Sequence, residues 1–242
     1  MKEIYKVYPN DACLGVDPTE TFFPNGELPV PGGNLIIPVG KMLMQKFRPT
    51  KIYFSEDEHP LGHISRADSY IGVKNGTLLT PELVADWTKK NLAPHTQFSI
   101  YYLKWYLHKI GSQMAWQPHG LPDSQRTRVS PDLLEYGYRA IIVKGQDPRV
   151  DSYSAVKDAL GASTGLTEIL RHNKIIRIFV WGLAFDYCVG LTAFDLAKEG
   201  FTVFVVQDAT ASVNYPTGSA EAMHQRLLDV GVILIDQDQV KK

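Results

Sequence analysis

Short apolar runs alternate with amphipathic stretches along most of the chain. The runs predict β-strands over residues 12–16, 51–54, 139–143, 175–180, 201–206 and 232–235. The run at 175–180 is almost continuously apolar, which is typical of a strand buried on both faces of a parallel sheet. Helical spacing follows Gly33 and recurs over 187–198 and 220–229, whereas the proline- and glycine-rich residues 24–33 predict a loop. This alternation predicts an α/β fold of three αβα layers around a central, mainly parallel six-stranded sheet.

A long region after His63 shows no clear strand–helix unit. We expect one domain over residues 1–242 with an extended insertion at about 66–115. Within the insertion, residues 81–90 and 99–108 could each form a helix. Long connections in compact domains are often lids or binding elements, so the insertion is a candidate for either role.

The composition and net charge of the chain indicate which classes of partner and location to expect. With 44% hydrophobic and 21% charged residues, the chain has the composition of an ordinary globular protein. Its formal net charge of −1 gives no reason to expect nucleic acid or an anionic membrane as a partner. We find no signal peptide or membrane span, and residues 237–242 are expected to form a polar tail. The only two cysteines, Cys13 and Cys188, argue against a disulfide scaffold and favour a reducing, cytoplasmic location.

Reactive side chains follow several of the predicted strands. Asp17, Asp57, Lys144 and the segment 182–188 each come directly after an apolar run. Ligands of parallel α/β sheets bind beyond the carboxyl ends of the strands, where these groups would meet. The sequence therefore predicts one site along one edge of the sheet.

Cys188 is the candidate nucleophile of that site. It lies at the predicted start of a helix, where free N–H groups lower a thiol pKa and can also bind an oxyanion. Asp17 could take the thiol proton, and Lys144 could stabilise developing negative charge. Each group also has a structural interpretation, namely a core cysteine, a carboxylate that caps a turn, or a solvated lysine. Cys13 lies within a predicted strand and is interpreted as a core residue.

A carboxylate and nearby imidazoles form a candidate metal site. Asp57 and His59 are two residues apart on an extended chain and so share one side, and His119 supplies a third group. This donor set suits Zn²⁺, Fe²⁺ or Mn²⁺. His63 is a further candidate, although it could instead bond its own loop. The remaining histidines lack an acidic neighbour at useful spacing and are interpreted as surface or satisfied core groups: His95, His108, His172 and His224.

The chain resembles the nicotinamidases of the isochorismatase-like cysteine hydrolase superfamily. Segments that match, in the family's order, are Asp17 with Phe22, D-E-H-P-L-G-H-I-S at 57–65, W-Q-P-H at 116–119, K-G-Q-D and D-S-Y-S within 144–154, and G-L-A-F-D-Y-C-V at 182–189. The chain departs from the family's pattern at Thr19-Glu20-Thr21, in the residues that follow His119, and in the length of the region between His63 and Trp116. These departures concern the rim of the expected site.

The resemblance implies a role for each matched residue. Asp17, Lys144 and Cys188 would form the catalytic triad. One divalent metal ion, Zn²⁺ by preference, would bind to Asp57, His59 and His119, with His63 as a further ligand or as a support behind the ligands. Phe22 and Trp116 would sandwich a flat ring. The family also has a non-proline cis peptide before the nucleophile, here Leu183–Ala184, which would aim the Ala184 N–H, with that of Cys188, at the oxyanion.

The resemblance also implies an activity. The expected reaction is hydrolysis of nicotinamide, and of pyrazinamide, through a cysteine thioester, as part of NAD salvage in a homo-oligomeric enzyme. Two alternatives remain open from the sequence. One is a hydrolase of the same fold that acts on a different small amide, and the other is a non-catalytic binding scaffold.

Overall fold

The computed structural model describes residues 2–242. The strands are β1 (Tyr5–Lys6), β2 (Asp11–Val16), β3 (Ile52–Asp57), β4 (Thr77–Leu79), β5 (Gln113–Ala115), β6 (Ala140–Lys144), β7 (Arg177–Leu183), β8 (Thr202–Ala211), β9 (Ile233–Ile235) and β10 (Val240–Lys241). The α-helices are α1 (Ile36–Met44), α2 (Ile100–Ile110), α3 (Pro131–Leu134), α4 (Leu166–His172), α5 (Gly190–Lys198) and α6 (Ser219–Asp229). Among the described residues, no helix is both long enough and apolar enough to cross a membrane.

A six-stranded sheet in the order β6-β3-β2-β7-β8-β9 forms the centre of the fold. Every neighbouring pair of its strands is parallel. The prediction of a mainly parallel six-stranded sheet is therefore confirmed. Parallel strands run in one direction, so their carboxyl ends all meet at one edge.

Alternate residues of the central strands pack into two separate cores. Leu14 of β2 and Val180 of β7 belong to the core beneath α4, α5 and α6, whereas Cys13 and Trp181 belong to the core beneath α1. All four side chains are fully buried. Full burial of an apolar side chain stabilises the fold by about 1.5–3 kcal/mol. Burial on both faces explains why these strands have no polar face in the sequence.

The region between His63 and Trp116 packs around a small apolar core. Leu79 of β4, Leu103, Tyr106 and Leu107 of α2, and Ile64 are fully buried against one another. Strands β4 and β5 pair antiparallel beside this core. Helix α2 confirms the prediction of a helix over 99–108, and this apolar cluster buries its inward face.

The helix expected over 81–90 is wrong. Residues there form turns, and a short 3-10 helix follows at Lys89–Asn91. The Thr80 hydroxyl accepts a hydrogen bond from the Leu83 N–H, and the Thr88 hydroxyl accepts one from the Lys90 N–H. Threonine side chains that bond nearby backbone in this way compete with helical hydrogen bonds.

The polar tail expected over 237–242 is also wrong. Val240 is fully buried, and β10 pairs with β1 through the register Tyr5↔Val240. The Lys46 ammonium donates to the carbonyl oxygens of Gln237 and Val240, at 2.9 and 2.8 Å. One apolar side chain and one lysine therefore hold a segment whose composition suggested a tail.

Candidate active site

Four reactive side chains meet at the carboxyl edge of the sheet. Asp17 follows β2, Asp57 and Lys144 end β3 and β6, and Cys188 follows β7. Asp57 and Lys144 are direct register partners. The Lys144 Nζ lies 2.5 Å from Asp57 Oδ1, 3.1 Å from Asp17 Oδ2 and 3.5 Å from Cys188 Sγ. The structure thus brings these groups together, and all of them are at least 94% buried, with relative exposures of 0–6%.

Ser55 fixes the orientation of Asp17. The Ser55 hydroxyl donates to Asp17 Oδ1 at 2.6 Å, and the Asp17 N–H donates to Ser55 Oγ at 3.2 Å. Asp17 itself has a φ of 47°, a left-handed conformation that non-glycine residues adopt rarely. Sequence reasoning did not identify Ser55. The available signal was its spacing of two from Asp57 on a strand, which puts both on one face.

Burial controls the charges of this cluster. Burial raises the pKa of Asp17, although the Lys144 ammonium opposes the rise. Burial also raises the pKa of the Cys188 thiol well above its ordinary value, and a hydrogen bond to Asp17 adds to the rise. For Lys144, burial alone would lower the pKa, but Asp17 and Asp57 outweigh it and hold the pKa well above the ordinary value. The resting cluster therefore pairs a protonated thiol with a lysine that stays charged.

The turn that carries Cys188 depends on a glycine. Gly182 has a φ of 121°, and a Cβ there would lie 2.0 Å from the Val16 carbonyl oxygen. The peptide bond Leu183–Ala184 is cis, as the resemblance implied. A π-helical turn over Phe185–Val189 then leads into α5, so the predicted helix over 187–198 is confirmed with an earlier, wider first turn.

Asp57, His59 and His119 form a cluster that can hold a divalent metal ion. Their donor atoms all lie within 4.8 Å of one another, and the three residues are buried. Asp57 Oδ2 lies 3.0 Å from His59 Nε2 and 3.5 Å from His119 Nε2. His119 Nδ1 lies 2.8 Å from the Gln117 carbonyl oxygen, so this nitrogen carries the ring proton and donates it. His119 Nε2 then faces a carboxylate oxygen, and a cation between these two atoms would bind to both.

His63 lies beside this cluster. Its ring centroid is 4.2 Å from that of His59. Its Nδ1 is 2.8 Å from Ser65 Oγ and its Nε2 is 3.2 Å from the Val150 carbonyl oxygen. Burial lowers the pKa of His63 well below its ordinary value, so the ring is neutral. Both ring nitrogens already have hydrogen-bond partners.

A small, largely apolar pocket opens above the thiol and the metal donors. Its lining comprises Phe22, Leu28, Val30, Asp57, His59, Trp116, His119, Tyr153, Ala184, Tyr187, Cys188 and Val213. The Trp116 indole N–H donates to the Tyr153 hydroxyl at 2.9 Å, and the Trp116 and Tyr187 rings meet edge to face at 5.2 Å. Phe22 and Trp116 both line the pocket, and the prediction that they sandwich a flat ring stays a prediction. Tyr153 and Tyr187 were missed, although each lies within a matched motif, because the sequence does not reveal which way an aromatic side chain points.

The sequence and structure are similar to known proteins over almost the whole chain. The family model for the isochorismatase domain matches residues 11–239. A nicotinamidase of Acinetobacter baylyi is 30% identical over 224 residues, which cover 92% of this chain and 91% of that protein. The solved structure of an Acinetobacter baumanii nicotinamidase pyrazinamidease superposes with a TM-score of 0.79 at 29% identity, covering 96% of this chain and 98% of the other. PnC1 from L. infantum, solved in complex with nicotinate, superposes with a TM-score of 0.74 at 26% identity, covering 99% of each chain.

Proposed function

Because the chain belongs to the isochorismatase domain family, we propose that it hydrolyses nicotinamide to nicotinate and ammonia. The proposal depends on one observation, the meeting of a thiol, a carboxylate and an ammonium beside three metal donors beneath an aromatic pocket. The relative from Acinetobacter baylyi is named for this activity, and PnC1 from L. infantum binds nicotinate, the product. The reaction returns nicotinamide to NAD synthesis.

Asp17 and Lys144 activate the nucleophile. Burial raises the pKa of Asp17, which makes it a stronger base than an ordinary carboxylate, and it takes the Cys188 thiol proton. The Lys144 ammonium, 3.5 Å from Sγ, stabilises the thiolate that forms. The thiolate then attacks the carboxamide carbon, and the carbonyl oxygen becomes an oxyanion.

The backbone around the nucleophile holds this oxyanion. Ala184 and Cys188 both line the pocket, and their N–H groups are the proposed donors. One such donor typically stabilises the transition state by about 2.7–4 kcal/mol. Asp17 gives its proton to the departing nitrogen, the C–N bond breaks, and ammonia leaves. A thioester between the nicotinoyl group and Cys188 remains.

Asp17 also serves the second half of the reaction. Once ammonia has left, its carboxylate takes a proton from a water molecule as that water adds to the thioester carbon. The C–S bond breaks, and the Cys188 thiolate takes the proton from Asp17. The nicotinic acid releases its carboxyl proton to solvent and departs as nicotinate. Ser55 keeps the carboxylate in one orientation for both half-reactions.

Asp57, His59 and His119 would hold one divalent ion, which we take to be Zn²⁺, with Fe²⁺ and Mn²⁺ as alternatives that the same donors accept. When bound, the ion supplies a Lewis acid to which the pyridine nitrogen can bind, and so orients the ring. Phe22 and Trp116 cover the ring and exclude water. Pyrazinamide also carries a nitrogen at this ring position and is a second proposed substrate.

His63 is proposed as a support for His59. Its contacts with Ser65 and the Val150 carbonyl occupy both ring nitrogens, and its ring packs on that of His59. This arrangement favours a role behind the metal ligands over direct binding of the ion.

A cytoplasmic location and self-association complete the proposal. Both cysteines are free thiols, which suits a reducing compartment. On α2, Tyr101 is 83% exposed and Trp105 45% exposed, and these side chains are the proposed contact between copies of the chain in a homo-oligomer. Sedimentation of the wild-type protein and of a Tyr101→Ser/Trp105→Ser variant tests this contact, and equal masses for the two would contradict it.

The central experiment measures ammonia release from nicotinamide together with the zinc content of the same samples. We expect Cys188→Ala to abolish ammonia release and keep zinc, because the thiol is the nucleophile but not a metal donor. Asp57→Ala is expected to lower zinc content and activity together. Cys13→Ala, in the core away from the pocket, is the matched control and should retain turnover.

Two results would contradict the scheme. Near-wild-type turnover by Cys188→Ala would remove the thiol from the mechanism. Full activity in protein stripped of metal would show that the ion does not take part in the reaction.

A further inference from the structure

The residues on either side of Asp57 form an ionic bridge that the proposed mechanism does not use. Glu56 and Glu58 point away from Asp57, because successive side chains of a strand alternate in direction. Both are 4% exposed. Arg128 Nη1 lies 3.0 Å from Glu56 Oε2 and also donates to Glu58 Oε1. Two buried carboxylates thus share one guanidinium.

Further hydrogen bonds extend the bridge. The Val129 N–H donates to Glu56 Oε1 at 2.8 Å, and Arg128 Nη2 donates to the Pro122 carbonyl oxygen at 2.7 Å. The bridge therefore holds both ends of the 120–130 segment, the stretch of chain that follows His119, at the end of β3: Arg128 bonds Pro122, and Glu56 bonds Val129.

The start of this segment is packed against the metal donors. The His59 N–H donates to the Gly120 carbonyl oxygen at 2.7 Å. Gly120 has a φ of 64°, and a Cβ there would lie 2.5 Å from the Asp57 carbonyl oxygen. This close approach places His119, one residue earlier, with its Nε2 3.5 Å from Asp57 Oδ2.

The far end of the segment contacts the turn that carries Asp17. Thr19 and Val129 form an isolated bridge, and the Thr21 hydroxyl donates to the Arg126 carbonyl oxygen at 3.1 Å. The segment therefore links the proposed metal donors to the loop of the proposed base.

We propose that Arg128 is a positioning residue, which holds the 120–130 segment against Glu56 and Glu58 and so keeps His119 in place to bind the metal ion. The inference rests on the proposed metal site. Breaking the bridge leaves the segment held only by its backbone contacts and by Thr21, so that His119 is positioned less firmly when the ion binds. Loss of the partners that orient a metal ligand typically weakens metal binding by about 10–100-fold.

The test is a competition titration of metal-free protein with Zn²⁺ and a chromophoric chelator. Arg128→Met is expected to raise the zinc Kd by about tenfold or more. At saturating zinc, its kcat should stay within about threefold of wild type, while KM for nicotinamide rises because an ill-positioned ion orients the ring poorly. Arg128→Lys keeps the charge and should recover part of the zinc affinity.

Arg149→Met is the matched control. Arg149 also pairs with a carboxylate, Asp147 at 2.9 Å, and its side chain is 57% exposed against 41% for Arg128, but it bonds neither Glu56 nor Glu58. Its zinc Kd should equal that of wild type.

A triple variant, Glu56→Gln/Glu58→Gln/Arg128→Met, covers the case in which Arg128→Met fails to fold, because it leaves no unpaired buried charge. It should fold and still bind zinc more weakly than wild type. Unchanged zinc affinity with a lowered melting temperature, in whichever variant folds, would show a merely structural bridge and overturn the inference while leaving the proposed function intact. Wild-type protein that releases ammonia but binds no zinc would overturn both the metal site and this inference.

Discussion

The charge of Lys144 can be tested through stability as well as activity. Lys144→Met keeps much of the side-chain volume but removes the ammonium that lies 2.5 Å from Asp57 and 3.1 Å from Asp17. Removing one partner of a buried ion pair typically costs about 3–5 kcal/mol. For a domain of this size 1 kcal/mol shifts the melting temperature by about 2–4 °C, so we expect a fall of roughly 6–20 °C near neutral pH.

The loss should depend on pH with a definite sign. Burial already raises the pKa of Asp17, and Lys144 opposes that rise. Without Lys144 the pKa of Asp17 rises further, and each additional unit corresponds to about 1.4 kcal/mol. A carboxyl whose pKa is higher in the folded than in the unfolded state takes up a proton on folding. Its stabilising effect is present at low pH and is lost as the pH rises from about 4 through the folded-state value.

Thermal unfolding of wild type and Lys144→Met at pH 5 and pH 8 measures this effect. The variant should lose more stability at pH 8, and adding Asp17→Asn should restore part of the loss by removing an unpaired charge. Lys157→Met is the control, since Lys157 pairs with Asp195 at 3.1 Å but is 39% exposed. Equal losses at the two pH values, or an equal fall in the control, would refute the reasoning.

Three further predictions concern the turn, the ring and the thiols. Gly182→Ala should lower the melting temperature far more than Gly200→Ala, because a Cβ at Gly182 would lie 2.0 Å from the Val16 carbonyl oxygen whereas nothing lies within 4 Å of one at Gly200. Equal falls of the melting temperature in thermal scans of the two variants would contradict this. If metal contact orients the ring, kcat/KM for ammonia release should be at least about a hundredfold higher with nicotinamide and pyrazinamide than with benzamide, which lacks the ring nitrogen. Comparable kcat/KM values for the three amides would argue against that contact. Iodoacetamide should inactivate the enzyme by modifying Cys188, which is 6% exposed and lines the pocket, and should spare the fully buried Cys13. Peptide mass spectrometry identifies the modified cysteine. Modification of Cys13 first would show that the pocket does not admit the reagent to Cys188.

The sequence predicts those parts of the site that follow from strand topology. The sequence alone predicts that Asp17, Lys144 and Cys188 lie close together. Each follows an apolar run, and parallel strands end at one edge of the sheet. Ser55 escaped notice because its spacing of two from Asp57 indicates only a shared face of the strand, whereas its partner Asp17 follows a neighbouring strand. Arg128 lies far from Glu56 in sequence and was not identified as part of the site, since only tertiary contacts reveal its two partners.

Predictions from local sequence pattern were wrong in two segments. In one, side chains compete for backbone hydrogen bonds, and in the other a single tertiary contact determines the structure. Residues 81–90 have helical spacing, yet threonine hydroxyls hold the chain in turns. At the carboxyl end of the chain, the polar composition led to the prediction of a tail. In the fold, the buried Val240 and the pairing of its strand hold this segment in place. The role of the insertion and the single-domain interpretation stay predictions.

The position of Trp116 at the end of the insertion has a consequence for how this enzyme can be altered. Its backbone is held by Ser65 and Ala67, which belong to the insertion side of the molecule, whereas the thiol, its base and the lysine stand on the central sheet. One wall of the pocket, Trp116, is thus held from the insertion side, whereas Phe22 and Asp57 stand with the thiol on the central sheet. The pocket lining includes Trp116 but none of the described residues 66–115. Libraries that search for new amide substrates should therefore vary Trp116 and the residues that hold it, and keep Asp17, Lys144 and Cys188 unchanged.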